Sequence, residues 1–183
     1  YFGKTGHYHF GITADNLYLY CGPKNFHGMI QYMSQLKDQV AIVTGGSSGI
    51  GLAIARAFVQ EGMRVTIAAR NKRRLDDAAS QLKSGLPTDD AVLAVQCDVS
   101  QSTQVRQMVQ QTLDRFGRLD VLVNNAGIGR LAPLDELKEK DWDEVLNVNL
   151  KSVFLCIQAA LPEMKRRRRG YIVNISSIAG KEG

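Results

Sequence analysis

"TGGSSGIG", Thr44 to Gly51, stands between a continuous apolar run, "VAIVTG" (Val40 to Gly45), and "IGLAIARAFVQEG", whose apolar residues fall at helical spacing up to Gly62. A strand, a glycine-rich turn and a helix in that order bind phosphate if the turn leaves its main chain bare. Glycines at 45, 49 and 51 remove the side chains that would hold a ligand off the backbone. The helix start beyond them offers unpaired N–H groups and the positive end of its dipole to a diphosphate. Ser47 and Ser48 add hydroxyl donors, and Ile50 completes the turn. The spacing is G-x-x-x-G-x-G and not G-x-G-x-x-G, and the Lys-Ser/Thr of a triphosphate-binding loop is missing, which disfavours a nucleotide triphosphatase.

Outward from this turn the chain alternates between short apolar runs and longer amphipathic ones. "RVTIAAR" reads as a second strand ending at Arg70, "NKRRLDDAASQLKSG" as a polar helix closed by Gly85, and "AVLAVQCDVS" as a third strand. Ser100 is placed to cap the helix in "QSTQVRQMVQQTLDRFG". "LDVLVNNAG" gives a fourth strand, a long helix runs from Asp141 through Arg169, and "GYIVNISS" reads as a buried fifth strand that carries Ser176 and Ser177 at its carboxyl end. Buried strands separated by helices of this length imply an α/β fold with a doubly wound parallel sheet, a Rossmann fold incomplete after its fifth strand. Ligands of such sheets sit beyond the carboxyl ends of the strands. That places a functional cluster at Gly45 to Gly51, Arg70, Asp98, Asn125 and Ser177.

The chain has 183 residues, 44% of them hydrophobic, enough for one buried domain. Much of its net charge of +5 comes from "KRRRRG" at the end of the long helix, where cations complement the dipole, so no nucleic-acid partner is expected. Cys97 and Cys156 lie in apolar runs, as buried thiols do, and a reducing, cytoplasmic setting fits. No apolar stretch is read as reaching the roughly 18 residues of a membrane span. The first 32 residues differ from the rest: all three histidines and five of the six tyrosines fall there, without a sustained period. They read either as a metal-binding appendage using His7, His9, Cys21 and His27 or as sequence outside the folded domain. Paired metal-ligand spacings are absent, so no metal site is expected. The domain is taken to start at Met33 and run to Gly183.

An acidic residue at the end of the second strand would accept from a ribose 2′-hydroxyl, whereas arginine suits a 2′-phosphate. Arg70 therefore favours NADP over NAD. Lys72, Arg73 and Arg74 read more simply as a solvated first helical turn. Asp98 either accepts from an adenine amino group or begins the turn into the next helix. "NNAG", Asn124 to Gly127, places two amides at a strand end, where they brace neighbouring strands, and leaves a low wall beside which a cofactor can lie.

"TGGSSGIG", "NNAG", "NVNL" (Asn147 to Leu150) and "IVNISS" occur in the order, and at about the separations, of the short-chain dehydrogenase/reductase family, which Met33 to Gly183 resembles, with most similarity to its 3-oxoacyl-carrier-protein-reductase-type members. The resemblance implies hydride transfer between NADP(H) and a small carbonyl or alcohol substrate. It matches Gly45, Gly49 and Gly51 to the phosphate-binding glycines and Arg70 to the 2′-phosphate position. Asp98 and Val99 match the adenine side, and Asn125, Ala126 and Gly127 the segment beside the nucleoside. Asn149 matches the family's structural-catalytic asparagine, and Ser177 its substrate-orienting serine.

The family's tyrosine, in a Tyr-x-x-x-Lys helix, exchanges a proton with the substrate oxygen, its lysine lowering a pKa otherwise near 10. That helix is expected shortly after Gly183, no Tyr-x-x-x-Lys is read anywhere in the sequence, and Tyr171 at a strand start is a poor substitute. The expectation is a C-terminally truncated fragment with little turnover and marginal stability, the full-length form being a homo-oligomer. A non-catalytic NADP(H)-binding or interaction module is the alternative. Val153, Phe154, Ile157 and Leu161 either form an oligomer interface or pack on the sheet.

Overall fold

The computed structural model describes residues 9–13, 16–20, 36–84 and 89–177. Strands β1 (His9–Thr13) and β2 (Asn16–Tyr20) form an antiparallel ribbon, with His9 opposite Tyr20 and Thr13 opposite Asn16. The leader thus contains regular structure that its lack of period did not announce. His7, Cys21, His27 and Met33 lie outside the described residues, and among those described no cluster of metal-ligating side chains occurs.

The remaining strands are β3 (Val40–Thr44), β4 (Arg64–Ala69), β5 (Val92–Gln96), β6 (Val121–Asn124) and β7 (Tyr171–Asn174). All pair in parallel, in the order β5-β4-β3-β6-β7. Helices cover both faces of this sheet, which is why β3 reads as an unbroken apolar run. Ala41 and Val43 pack against α1 (Gly49–Gln60) and α2 (Lys72–Lys83) through Ile54, Phe58, Val59, Leu75 and Leu82. Ile42 points the other way, toward α3 (Ser102–Phe116) and the long helix behind it, meeting Val105, Met108 and Leu155 in a second core. Strand order reverses between β3 and β6, so the glycine turn stands at the topological switch point.

The long helix is one continuous rod from Glu139 to Arg166. Its parts are α4 (Glu139–Leu146), a π turn (Asn147–Lys151) and α5 (Ser152–Arg166). It begins two residues before the expected Asp141 and stops short of Arg169, where Arg168 takes a left-handed φ of 53°. By length and composition alone this helix passes for a membrane span, a test that core helices of folded domains also pass. Val148, Leu155, Cys156, Ala160 and Met164 nevertheless bury one side of it in the second core. Of the apolar face named from the sequence, Ile157 packs against this core, Val153 and Leu161 are half-buried, and Phe154 remains 59% exposed, so that face borders the packed one.

Two further expectations fail for local reasons. Ser100 does not cap α3: Gln101 holds that position, and the Ser100 hydroxyl donates to Asp98 Oδ1 at 2.7 Å in a tight turn. β7 is not buried: Tyr171 is 55% and Ile172 37% exposed, because β7 is the edge of the sheet.

At the amino ends of the strands, Asp120 is fully buried and joins three of them. Its Oδ2 accepts from the Val40 N–H at 2.9 Å and from Arg118 Nε at 2.7 Å. Its Oδ1 accepts from Arg118 Nη2 at 2.6 Å, with Arg167 Nη2 at 3.7 Å, and its main-chain carbonyl accepts from Tyr171 at 2.8 Å. Burial pushes this carboxyl up, but the hydrogen bonds from Arg118 and Val40 and the two guanidinium charges outweigh it and hold the group below the usual carboxylate range. Arg167 is therefore a structural partner, not part of a free basic surface.

Candidate functional site

The site is built on the carboxyl ends of β3 and β6. Thr44, 1% exposed, closes β3 with a hydroxyl used to capacity. It donates to the Val123 carbonyl at 3.2 Å and accepts from the N–H groups of Asn125 at 3.0 Å and Ala126 at 3.1 Å. The Asn125 amide returns the bond, donating to the Thr44 carbonyl at 2.9 Å. These contacts fix the turn after β6 against the glycine turn after β3.

Within the glycine turn, Gly49 has φ of 54° with open space around it, so its backbone conformation and not crowding demands glycine. Gly51 is the converse: a Cβ there would fall on the Gly45 carbonyl oxygen and the Asn125 amide. Ser48 precedes α1 without capping it, and the first turn of α1 carries no acidic side chain. Among the described residues, neither a side-chain cap nor an acid in that turn offsets the opening N–H groups of the helix. Ile50, 51% exposed, flanks them, with Ser48 exposed and Ser47 half-buried.

Arg70 follows β4 and lines an open cavity of about 410 Å³ with Gln96, Asp98 and Gln104. Gln96 Nε2 donates to the Arg70 carbonyl at 3.0 Å, fixing the backbone from which the guanidinium extends. The Asp98 Oδ1 receives both the N–H and the hydroxyl of Ser100, so this carboxylate does begin a turn, and it also faces the cavity. Val99 beside it is buried. Lys72 pairs with Asp76 one turn along α2, as a solvated helix face does.

Asn149 sits inside the π turn and grips one peptide group from both sides. Its Oδ1 accepts from the Ile128 N–H and its Nδ2 donates to the Ile128 carbonyl, both at 2.9 Å. A Cβ on Gly127 would lie 3.5 Å from the same Oδ1, an ordinary van der Waals contact, so the asparagine's approach does not itself demand glycine there. At the ends of β6 and β7, Asn124 Nδ2 donates to Asn174 Oδ1 at 2.9 Å. Ser177 is exposed on the segment after β7, the strand adjoining β6. The structure therefore brings together Gly45 to Gly51, Asn125 to Gly127 and Asn149, with Arg70, Asp98 and Val99 on the β4–β5 side.

With this geometry in place, residues 39–183 match the model of the family described as short chain dehydrogenase. The chain belongs to the short-chain dehydrogenase family. It is 43% identical over 150 residues to an uncharacterized oxidoreductase of Mycobacterium bovis, covering 82% of this chain and 59% of that protein. It is 43% identical over 151 residues to a 3-oxoacyl-[acyl-carrier-protein] reductase of Thermotoga maritima, covering 81% and 59%. Among solved structures, a short chain dehydrogenase from Bacillus anthracis superposes with a TM-score of 0.74 at 35% identity, covering 81% of this chain and 61% of that one. Levodione reductase superposes with a TM-score of 0.77 at 34% identity, covering 80% and 57%. This short-chain dehydrogenase chain thus spans about three fifths of the length of those relatives.

One Tyr-x-x-x-Lys spacing does occur, Tyr20 to Lys24, in the leader and not after Ser177. Tyr20 closes a strand, and Lys24 lies outside the described residues. Tyr171 opens β7, at the opposite end of that strand from Ser177. Sequence reasoning passed over Thr44, and over Glu144, which accepts from Arg130 at 2.8 Å and stands 3.9 Å from Arg70. A lone hydroxyl closing an apolar strand is the signal that could have found Thr44; Glu144 is one acid among several on α4. Cys97 and Cys156 are buried as expected, and burial raises their thiols to about 11 and about 12, so neither is a nucleophile near neutral pH.

Proposed function

We propose that this chain forms the coenzyme half of an NADP(H)-dependent reductase acting on a small carbonyl or alcohol. The observation that carries the proposal is the pairing of a bare helix start at Gly49 to Gly51 with an arginine at the end of the adjoining strand. The open N–H groups of α1 suit a diphosphate, and the space that a Cβ on Gly51 would fill is closed by the chain itself, so the turn stays compact beneath the ligand. Arg70 is assigned to the 2′-phosphate, Asp98 and Val99 to the adenine side, and Asn125, Ala126 and Gly127 to the nucleoside beyond the diphosphate.

A bound nicotinamide coenzyme supplies the hydride. Asn149 holds the Ile128 peptide and with it the wall beside the coenzyme, and Ser177 is assigned to orient the substrate oxygen. Protonation of that oxygen needs an acid near Ser177, a task for which Tyr171 stands at the wrong end of its strand. The 183 residues are accordingly proposed to bind coenzyme without appreciable turnover. The 3-oxoacyl relatives make a 3-oxo thioester the first substrate class to try on the whole protein.

Isothermal titration of the purified chain with NADPH and NADH tests this directly. Tighter binding of NADPH, with the difference lost in Arg70→Ala, is the expected result. Absence of heat with either coenzyme on folded protein refutes it.

A further inference from the structure

Two arginines from opposite sides of the glycine turn meet at one carboxylate. Arg70 follows β4 and Arg130 follows β6, and β3, which carries the turn, lies between those strands. Glu144 on α4 accepts from Arg130 Nη2 at 2.8 Å through Oε2, and its Oε1 stands 3.9 Å from Arg70 Nη1. The chain Arg70–Glu144–Arg130 therefore runs from the end of β4 to the segment beyond β6, across the carboxyl end of β3. A dinucleotide with its diphosphate on the glycine turn and its adenosine toward Asp98 would occupy the same space.

We propose that Glu144 competes with the coenzyme for Arg70 and so sets how tightly the groove binds a dinucleotide. The proposal rests on the functional reading above, which assigns the groove to a dinucleotide and Arg70 to its 2′-phosphate. In the coenzyme-free protein the carboxylate draws the guanidinium over the turn. Either coenzyme must release it, and NADPH then offers Arg70 a replacement anion whereas NADH leaves it to water. The Arg70 backbone does not need to move, because Gln96 holds its carbonyl and the long side chain alone swings. Since the paired side chains are 54% and 37% exposed, the competition tunes affinity and does not shut the groove.

The test is Glu144→Gln in the full chain, titrated calorimetrically with NADPH and with NADH, and followed independently by the fluorescence of Trp142, two residues away on the same helix. Both coenzymes should bind about two- to fivefold tighter than to the unaltered protein, the size of one exposed ion pair. Their ratio should stay unchanged, and the gain should shrink as salt is raised. Unchanged or weaker binding of both, or a gain confined to one coenzyme, overturns the proposal. Arg70→Ala separates the two claims: it should abolish the NADPH advantage and, by removing the competing pair, tighten NADH. Failure of the unaltered protein to bind either coenzyme would instead sink the functional reading itself.

Discussion

Replacing Asp120 by asparagine exchanges one oxygen for an amide and should be among the most damaging conservative changes in this chain. The carboxylate is fully buried and receives the Val40 N–H and two guanidinium bonds from Arg118, with Arg167 at 3.7 Å. Every group facing it is a donor, so an asparagine NH₂ must point at another donor whichever way the amide is turned. The neutral side chain also leaves Arg118 and Arg167, at 30% and 25% side-chain exposure, without their counter-charge. Removing one partner of such a buried cluster costs about 3–5 kcal/mol, a large share of the roughly 5–15 kcal/mol that holds a domain together. The melting temperature should fall by on the order of 10 °C.

The pH dependence gives a sharper check. The folded-state pKa of Asp120 is depressed below its ordinary 3.8, so its contribution is fully present above that value and is lost as pH falls through the folded pKa. Stability measured by urea denaturation should therefore drop from about pH 4 downward in the unaltered protein, and this acid limb should flatten in Asp120→Asn. A variant that melts within a degree or so of the original, with the same acid limb, would show that the carboxylate does not anchor the sheet and that the cluster is incidental.

Two substitutions probe the site. Gly51→Ala places a methyl group against the Gly45 carbonyl, which as main chain cannot step aside, and against the Asn125 amide; overpacking of this kind costs about 1–3 kcal/mol, and coenzyme affinity by calorimetry should fall at least several-fold. Asn149→Ala frees both polar groups of the Ile128 peptide, for about 1–2 kcal/mol, and should accelerate hydrogen exchange at the Ile128 amide.

The fold was legible because burial on both faces of a parallel sheet leaves its signature in the strands themselves: Val40 to Thr44 and Val121 to Asn124 are buried throughout, and both read as apolar runs. β7 carries a similar run but stands at the edge, and no local pattern tells an edge strand from a central one when its neighbours are far away in sequence. The glycine positions were legible for a related reason, since a positive φ or a close approach restricts the residue type at that one place. Ser100 misled because a serine before a helix has two local options, and the Asp98 side chain drew it into a turn. Asn149 was recognised only by family likeness; it makes its two hydrogen bonds to the Ile128 peptide from within the π turn, and a helix pattern with one extra residue reads as an ordinary helix. Arg167 was counted with the basic run because its partner, Asp120, is distant in sequence.

The two ends of the groove differ in the kind of force that shapes them. On the β3–β6 side the contacts of Thr44, Asn125, Asn149 and the Asn124–Asn174 pair are neutral hydrogen bonds, several to main chain, which hold position without adding net charge. On the β4–β5 side stand Arg70 and Asp98, and across the turn Arg70 meets Glu144, which pairs in turn with Arg130. If the groove holds a dinucleotide as proposed, neutral amides suit the nicotinamide end, where a fixed charge would favour one redox form over the other, and charges suit the adenosine end, which would serve recognition alone. On the proposed reading, discrimination between coenzymes can then be altered at Arg70, and affinity for both at Glu144, without disturbing the wall that Asn149 and Thr44 hold. Such separation requires the two sets to share no hydrogen bond, and among the described residues they share none: Gln96 and Ser100 serve Arg70 and Asp98, while Val123 and Ile128 serve Thr44 and Asn149.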